Sequence, residues 1–328
     1  MVIAKHIVGG ILGLFLLGSG AGLFAQDLQA ISIDSKMDTP KYTPSVTDVS
    51  LLLRERDSYQ NIRRNIGRLK STLQNKKRKP ATVGDTAPFF VRNISTLNTW
   101  DTIVAECIYT SDNIALWVSV ADNSFYADSL SFSQIADSLS QLLEVRSPSG
   151  SIDPAKGILE IDREYFGSPP DVDGDGILDI LLLDVEDGFE ETGGFVAGFF
   201  DPVDLIEHEF SNQRDLIYID IFPTLFYRNE LHIARGISTI AHELQHLIHA
   251  NYETAERQYT FINEGLSEYA EVLSGFSPRN PESYYQQPNR ALFSWNYDEP
   301  IPDYARSSLF FTYLFEQLGA DKAKYLVQ

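Results

Sequence analysis

Thr239-Ile240-Ala241-His242-Glu243-Leu244-Gln245-His246-Leu247-Ile248 is the stretch on which the reading of this chain turns. On an α-helix, residues four apart share a face, so His242 and His246 bring two imidazole nitrogens to one metal ion, as a zinc site requires. Glu243 falls on the neighbouring flank, where it can reach a water at the metal without being a ligand, which is a general-base position. Ile240, Leu244, Leu247 and Ile248 supply the apolar positions of a buried helix. The plain alternative is a core helix that carries His, Glu and His at this spacing by chance.

A second stretch bears on that choice. Asn263-Glu264-Gly265-Leu266-Ser267-Glu268 brings Glu264 eighteen positions after His246. A catalytic zinc site of the His, His, Glu kind takes its third ligand from a following helix. Together the two stretches resemble the gluzincin metallopeptidases, the thermolysin-like clan. With Leu244-Gln245 between the histidines, and with Tyr269-Ala270-Glu271 closing the second stretch, the form is most similar to the hyicolysin-type secreted bacterial peptidases. The resemblance is specific over roughly residues 170 to 275, weaker over roughly 85 to 170, and absent before about 80. It implies a zinc-dependent endopeptidase acting on protein or peptide, with Glu264 as third zinc ligand and Glu268 orienting a ligating histidine. It also implies an α+β, zincin-like fold: a mixed or antiparallel sheet, the active-site helix and a small helical C-terminal part.

The sequence departs from thermolysin in one respect. All six histidines precede residue 250, so no later histidine is there to bind the oxyanion, and that role passes to a tyrosine or to zinc alone. Tyr304, ahead of the apolar run 309–318, is the first choice; Tyr252 and Tyr259 are the alternatives.

The 328 residues, 43% of them hydrophobic, suffice for one catalytic unit of two subdomains over 81–328. Lys5 and His6 precede an uncharged, apolar run to Ala25 that ends in small residues. This reads as a secretory signal peptide over 1–25, with an uncleaved membrane anchor as its rival. A secreted protein follows from the first reading, periplasmic or surface-retained in some settings, with no stable membrane insertion after cleavage. Cys107 is the single cysteine, so export here involves no internal disulfide, and an inert core thiol is the expected role.

Charge divides the chain. Up to Lys79 it holds 13 Lys and Arg against 6 Asp and Glu, and thereafter 13 against 40. Leu52, Leu53, Ile62, Ile66, Leu69 and Leu73 recur among arginines as a basic amphipathic helix, and Lys76-Lys77-Arg78-Lys79-Pro80 follows as a linker. One reading of 26–80 is a pro-segment that docks on the acidic part and is removed near the basic run; the other is a solvated helix with a flexible joint. Nucleic-acid binding is not expected, because a net charge of −20 repels phosphate backbones.

Thr102 to Tyr109 and Ile114 to Val120 read as a hairpin around Ser111-Asp112-Asn113, and Ser133 to Val145 as a helix. Asp171-Val172-Asp173-Gly174-Asp175-Gly176-Ile177-Leu178-Asp179 matches the first nine positions of an EF-hand loop. Its twelfth position is Leu182, where a bidentate Glu belongs, and a strand follows, so an EF-hand is excluded. Two readings stand: a structural calcium held by Asp171, Asp173, Asp175 and Asp179, or an acidic turn. Gly193 to Pro202 and Leu216 to Ile221 read as strands; the resemblance implies that an edge strand beside the zinc helix receives peptide by strand addition, and the plain alternative is that both are ordinary sheet members. Another helix begins just before Gln328, so the C-terminal part reads as small or truncated. Two other functions use the same residues: an inactive peptidase-like binding protein, and a zinc amidase or esterase.

Overall fold

The computed structural model describes residues 45–46, 78–252 and 259–327. The expected signal segment and basic helix lie outside the described residues. Eight strands concern the site: β1 (Ser45–Val46), β2 (Thr86–Arg92), β3 (Trp100–Thr110), β4 (Ile114–Ser119), β5 (Leu178–Leu183), β6 (Gly194–Phe195), β7 (Gly198–Phe199) and β8 (Leu216–Asp220). Six of them form one sheet in the order β2-β3-β4-β5-β8-β7. β2, β3 and β4 are antiparallel; β4, β5 and β8 run parallel; β7 closes the edge antiparallel to β8.

The expected hairpin is β3 and β4. Ser111 turns it, its Oγ accepting from the backbone N–H of Asn113 and of Ile114 at 3.1 Å each, so a side chain supplies the acceptor that the tight turn lacks. The three parallel strands are buried on both faces. Ile114, Leu116, Val118, Ile180, Leu182, Ile217 and Ile219 face the helices, while Ala115, Trp117, Leu181, Leu183, Leu216 and Tyr218 face the opposite way with Cys107. That alternation is the two-residue period of a strand, written here in apolar residues on both sides because both sides are covered. Cys107 is fully buried, and burial pushes its thiol up to about 11, in keeping with an inert core residue.

Helices α1 (Phe132–Ser140), α2 (Ile158–Tyr165) and α3 (Ile233–Tyr252) contribute to the core on one side of the sheet. α1 continues through a wider turn over Gln141–Val145. Ile240, Leu244, Leu247 and Ile248 of α3 are all fully buried, each burial favouring the fold by about 1.5–3 kcal/mol. α4 (Thr260–Leu273) packs on α3, and α5 (Ile301–Leu318) on α4. The close approach of α5 to α4 depends on Gly265: a Cβ there would stand 2.0 Å from Phe311 Cδ2.

This is the expected α+β, zincin-like arrangement. The last long helix differs from expectation: it begins at Ile301, not Leu309, because Pro302 lies in its first turn, where a preset φ and a missing N–H are accommodated. Tyr304 therefore sits inside the helix. Among the described residues no helix is long and apolar enough to cross a membrane. β1 pairs in parallel with β6, Ser45 opposite Gly194 and Val46 opposite Phe195.

Candidate metal centre

Helices α3 and α4 present His242, His246 and Glu264 to one another. The exposures of the three are 5%, 0% and 0%, so the cluster is shielded from bulk water. One ligand atom from each lies within 4.8 Å of the others. Glu264 Oε2 is 3.4 Å from His242 Nε2, and Glu264 Oε1 is 3.4 Å from His246 Nε2. Neither oxygen of Glu264 has a hydrogen-bond partner.

The far side of each imidazole is tied down. His242 Nδ1 lies 3.0 Å from Glu271 Oε1, and His246 Nδ1 lies 2.6 Å from Asn263 Oδ1. Both partners are acceptors, so each Nδ1 carries the proton and each Nε2 presents its lone pair. Two lone pairs then face two carboxylate oxygens that no donor serves. A fully buried carboxylate in that position is costly, and a cation between the three groups turns repulsion into ligation. The residues fit a metal ion of the kind that takes two imidazoles and a carboxylate.

Supporting contacts reach further back. Ser238 Oγ donates to Glu271, and Ser267 Oγ donates to Gln245 Oε1 at 2.6 Å while lying 3.0 Å from His246 Nδ1. Burial works against the Glu271 carboxylate, but His242, Arg279 and Ser238 together hold it below its ordinary range. Glu243 is 2% exposed and follows directly on His242, on the flank that the helical period assigns to it.

Glu268, expected on a histidine, brings an oxygen within 4.8 Å of a His242 ring nitrogen and is paired with Arg279, whose Nη2 is 2.6 Å and Nε 2.7 Å from Glu268 Oε1. The carboxylate hydrogen-bonded to His242 Nδ1 is Glu271. Glu264 and Glu271 are seven residues apart, two helical turns, so they share a face as the shorter spacing to Glu268 also does. Glu271 and Asn263 both stood in the motif, but spacing alone does not choose between carboxylates one turn apart. Tyr304 is 1% exposed, its ring 4.9 Å from that of Trp295 and 5.0 Å from the Arg279 guanidinium. The Tyr252 hydroxyl accepts from Ser168 N at 3.0 Å, and Tyr259 is 54% exposed.

At the acidic loop the structure brings Asp171, Asp173 and Asp175 together and sets Asp179 apart. Both oxygens of Asp179 are engaged, Oδ1 by Trp117 Nε1 at 2.7 Å and Oδ2 by Arg214 at 3.1 Å. Leu178–Leu183 is already strand at that point, so the alternation turns Asp179 toward the side of the sheet that holds Trp117.

A His, His, Glu donor set on two packed helices beside a mixed sheet is the arrangement of the gluzincin metallopeptidases, which this chain resembles. No family model matches the chain. It is 32% identical over 173 residues to the neutral metalloprotease ShpI of Staphylococcus hyicus, an alignment that takes in 47% of this chain. The chain spans 38% of the length of that curated relative.

Proposed function

We propose that this chain is a secreted zinc endopeptidase with zinc held by His242, His246 and Glu264. The observation that carries the reading is the pair of buried, donorless Glu264 oxygens turned toward two imidazole Nε2 atoms. Similarity to a protein named as a metalloprotease points the same way. Bound there, zinc supplies a Lewis acid that polarises the peptide carbonyl and brings the pKa of a water toward about 7.

The chain's own residues do the rest. Glu243 takes a proton from the attacking water and delivers it to the leaving amine, the two halves of one general acid and base role. Glu271 and Asn263 keep both imidazoles in the tautomer that leaves Nε2 open. Tyr304 is the tyrosine we assign to the negative charge that develops on the carbonyl oxygen. Peptide would bind along β7, an edge strand of the six-stranded sheet, by main-chain hydrogen bonds that are largely indifferent to sequence. That edge adjoins the metal helix: a Cβ at Gly198 would lie 2.7 Å from Thr239 Cγ2, three residues before His242.

The domain plan belongs to the same proposal: signal peptide over 1–25, basic pro-segment over 26–80, catalytic part over 81–328. Two contacts support docking of the second on the third. Ser45 and Val46 pair with β6, and Arg78 from the basic run meets Asp173. Opposite net charges on the two parts favour the same association.

The test is hydrolysis of an unfolded protein by the purified chain with zinc, beside Glu243→Gln and beside a zinc chelator. Glu243→Gln is expected to lose about 10²–10⁴ in rate while still holding about one zinc per chain. A wild type that binds zinc yet cuts nothing, even after removal of residues 1–80, would sink the peptidase reading.

A further inference from the structure

Away from the histidines, the loop after Pro170 folds Asp171, Asp173 and Asp175 onto one point, with an oxygen from each within 4.8 Å of the other two. Gly174 at φ 74° and Gly176 at φ 77° make the reversals, left-handed conformations that glycine takes without strain. The loop fixes itself from within: Gly176 N donates to Asp171 Oδ1 at 3.1 Å and Ile177 N to Asp175 Oδ1 at 2.9 Å.

Acidic loops of this kind are common without a ligand, so the weight falls on two other facts. Asp173 is 6% exposed and its Oδ1 has no hydrogen-bond partner. Asp215, from the segment that leads into β8, is 2% exposed and reaches into the loop, its Oδ2 accepting from Val172 N at 3.2 Å. Its Oδ1 likewise has no partner. Two buried carboxylate oxygens without donors, beside two further carboxylates, are unfavourable unless a positive charge joins them. Arg78 brings a cation beside the loop, its Nε 3.5 Å from Asp173 Oδ2.

We propose that Asp171, Asp173 and Asp175, backed by Asp215, form a calcium site, and that Arg78 competes with the ion for it. An all-oxygen set on an irregular loop suits calcium, which accepts six to eight oxygens in flexible geometry, and suits magnesium poorly, since magnesium demands a near-octahedral shell. Asp215 adds a further buried carboxylate from the segment ahead of β8. At the position where an EF-hand has its glutamate, the chain has Leu182, fully buried in β5. Burial and the Asp175 charge push Asp173 up to about 7, with Arg78 opposing them, so without a cation the cluster carries less than its full charge near neutrality. Because Arg78 belongs to the basic run that precedes the catalytic part, a bound ion also loosens one of the contacts that run makes.

Titration calorimetry of the zinc-supplied full chain, dialysed free of calcium, tests this without reference to peptidase activity. The expected result is one calcium per chain with Kd about 10⁻⁴ to 10⁻³ M, the range of extracellular calcium modules, and little response to magnesium. Asp173→Asn should weaken binding at least tenfold, with circular dichroism checking its fold. Arg78→Gln should tighten binding severalfold, and it keeps the test decisive should Asp173→Asn fail to fold. The absence of saturable binding up to about 10 mM calcium, ten times the weak end of that range, overturns the proposal. So does an unchanged affinity in a folded Asp173→Asn, or an unchanged affinity in Arg78→Gln.

Discussion

The histidine site stands on two packed helices, whereas the aspartate loop lies between α2 and β5, yet both hold acidic oxygens away from water with no donor to serve them. In the first, every functional side chain comes from a regular element, and the far side of each ring is fixed by a partner on the second helix. In the second, the three clustered groups come from one turn, and the groups that complete their surroundings, Asp215 and Arg78, arrive from distant parts of the chain. A helix fixes the angle between its side chains before any tertiary contact forms. A loop acquires its geometry only from what packs against it. The histidine site should therefore fail through single named partners, and the loop through conditions that change its charge.

The largest effect expected from that contrast is on zinc affinity. Glu271→Gln removes the carboxylate from His242 Nδ1 and should weaken zinc binding about 10–100-fold, the usual loss for such a partner. Glu268→Gln should change it less, because its carboxylate is committed to Arg279. Competition with a chromophoric chelator measures both. Equal losses in the two variants would show that Arg279 and Glu268 hold the ligands as firmly as Glu271 does.

Next in size is Gly265→Ala. The new methyl would meet the ring of Phe311 at 2.0 Å, and the overpacking should cost about 1–3 kcal/mol, read from the urea midpoint. If the helices separate to relieve the clash, zinc affinity falls together with stability. A stability loss with unchanged zinc affinity would instead show that the ring turns aside and that the proposed metal ligands do not depend on the spacing between α4 and α5.

How much could be read in advance follows the same division. The apolar period of α3, the three ligand candidates and the hairpin of β3 and β4 are legible in the sequence, because helix spacing and turn residues project directly onto it. Burial of the parallel strands on both faces comes from the structure. Glu268 and Glu271 differ by less than one turn, so which of them meets His242 depends on how α4 is rotated against α3. Asp179 continues the run of alternating aspartates, so the sequence alone groups it with the loop. Strand β5 begins before it, and the sheet turns it toward Trp117 and Arg214. Asp215 carried no local signal at all: forty residues separate it from Asp175, and only the parallel pairing of β5 with β8 brings them near.

The smallest effect, and the one that most directly separates loop from helices, is on stability against pH. Burial raises the Asp173 carboxyl to about 7 in the fold, against an ordinary value of 3.8. A raised folded pKa means that the native loop holds its proton more tightly than the unfolded chain does. The stability it contributes is complete below about pH 4 and is lost as pH rises through about 7. Without calcium, then, urea stability should decline across that window, and Asp173→Asn, which cannot ionise, should flatten the decline. With calcium present the ion replaces the proton as the neutralising charge, so the slope should shrink in wild type and its stability at pH 8 should rise. A decline that calcium leaves untouched, but that Asp173→Asn removes, would assign the raised pKa to burial alone and leave the loop an acidic turn closed by its own backbone.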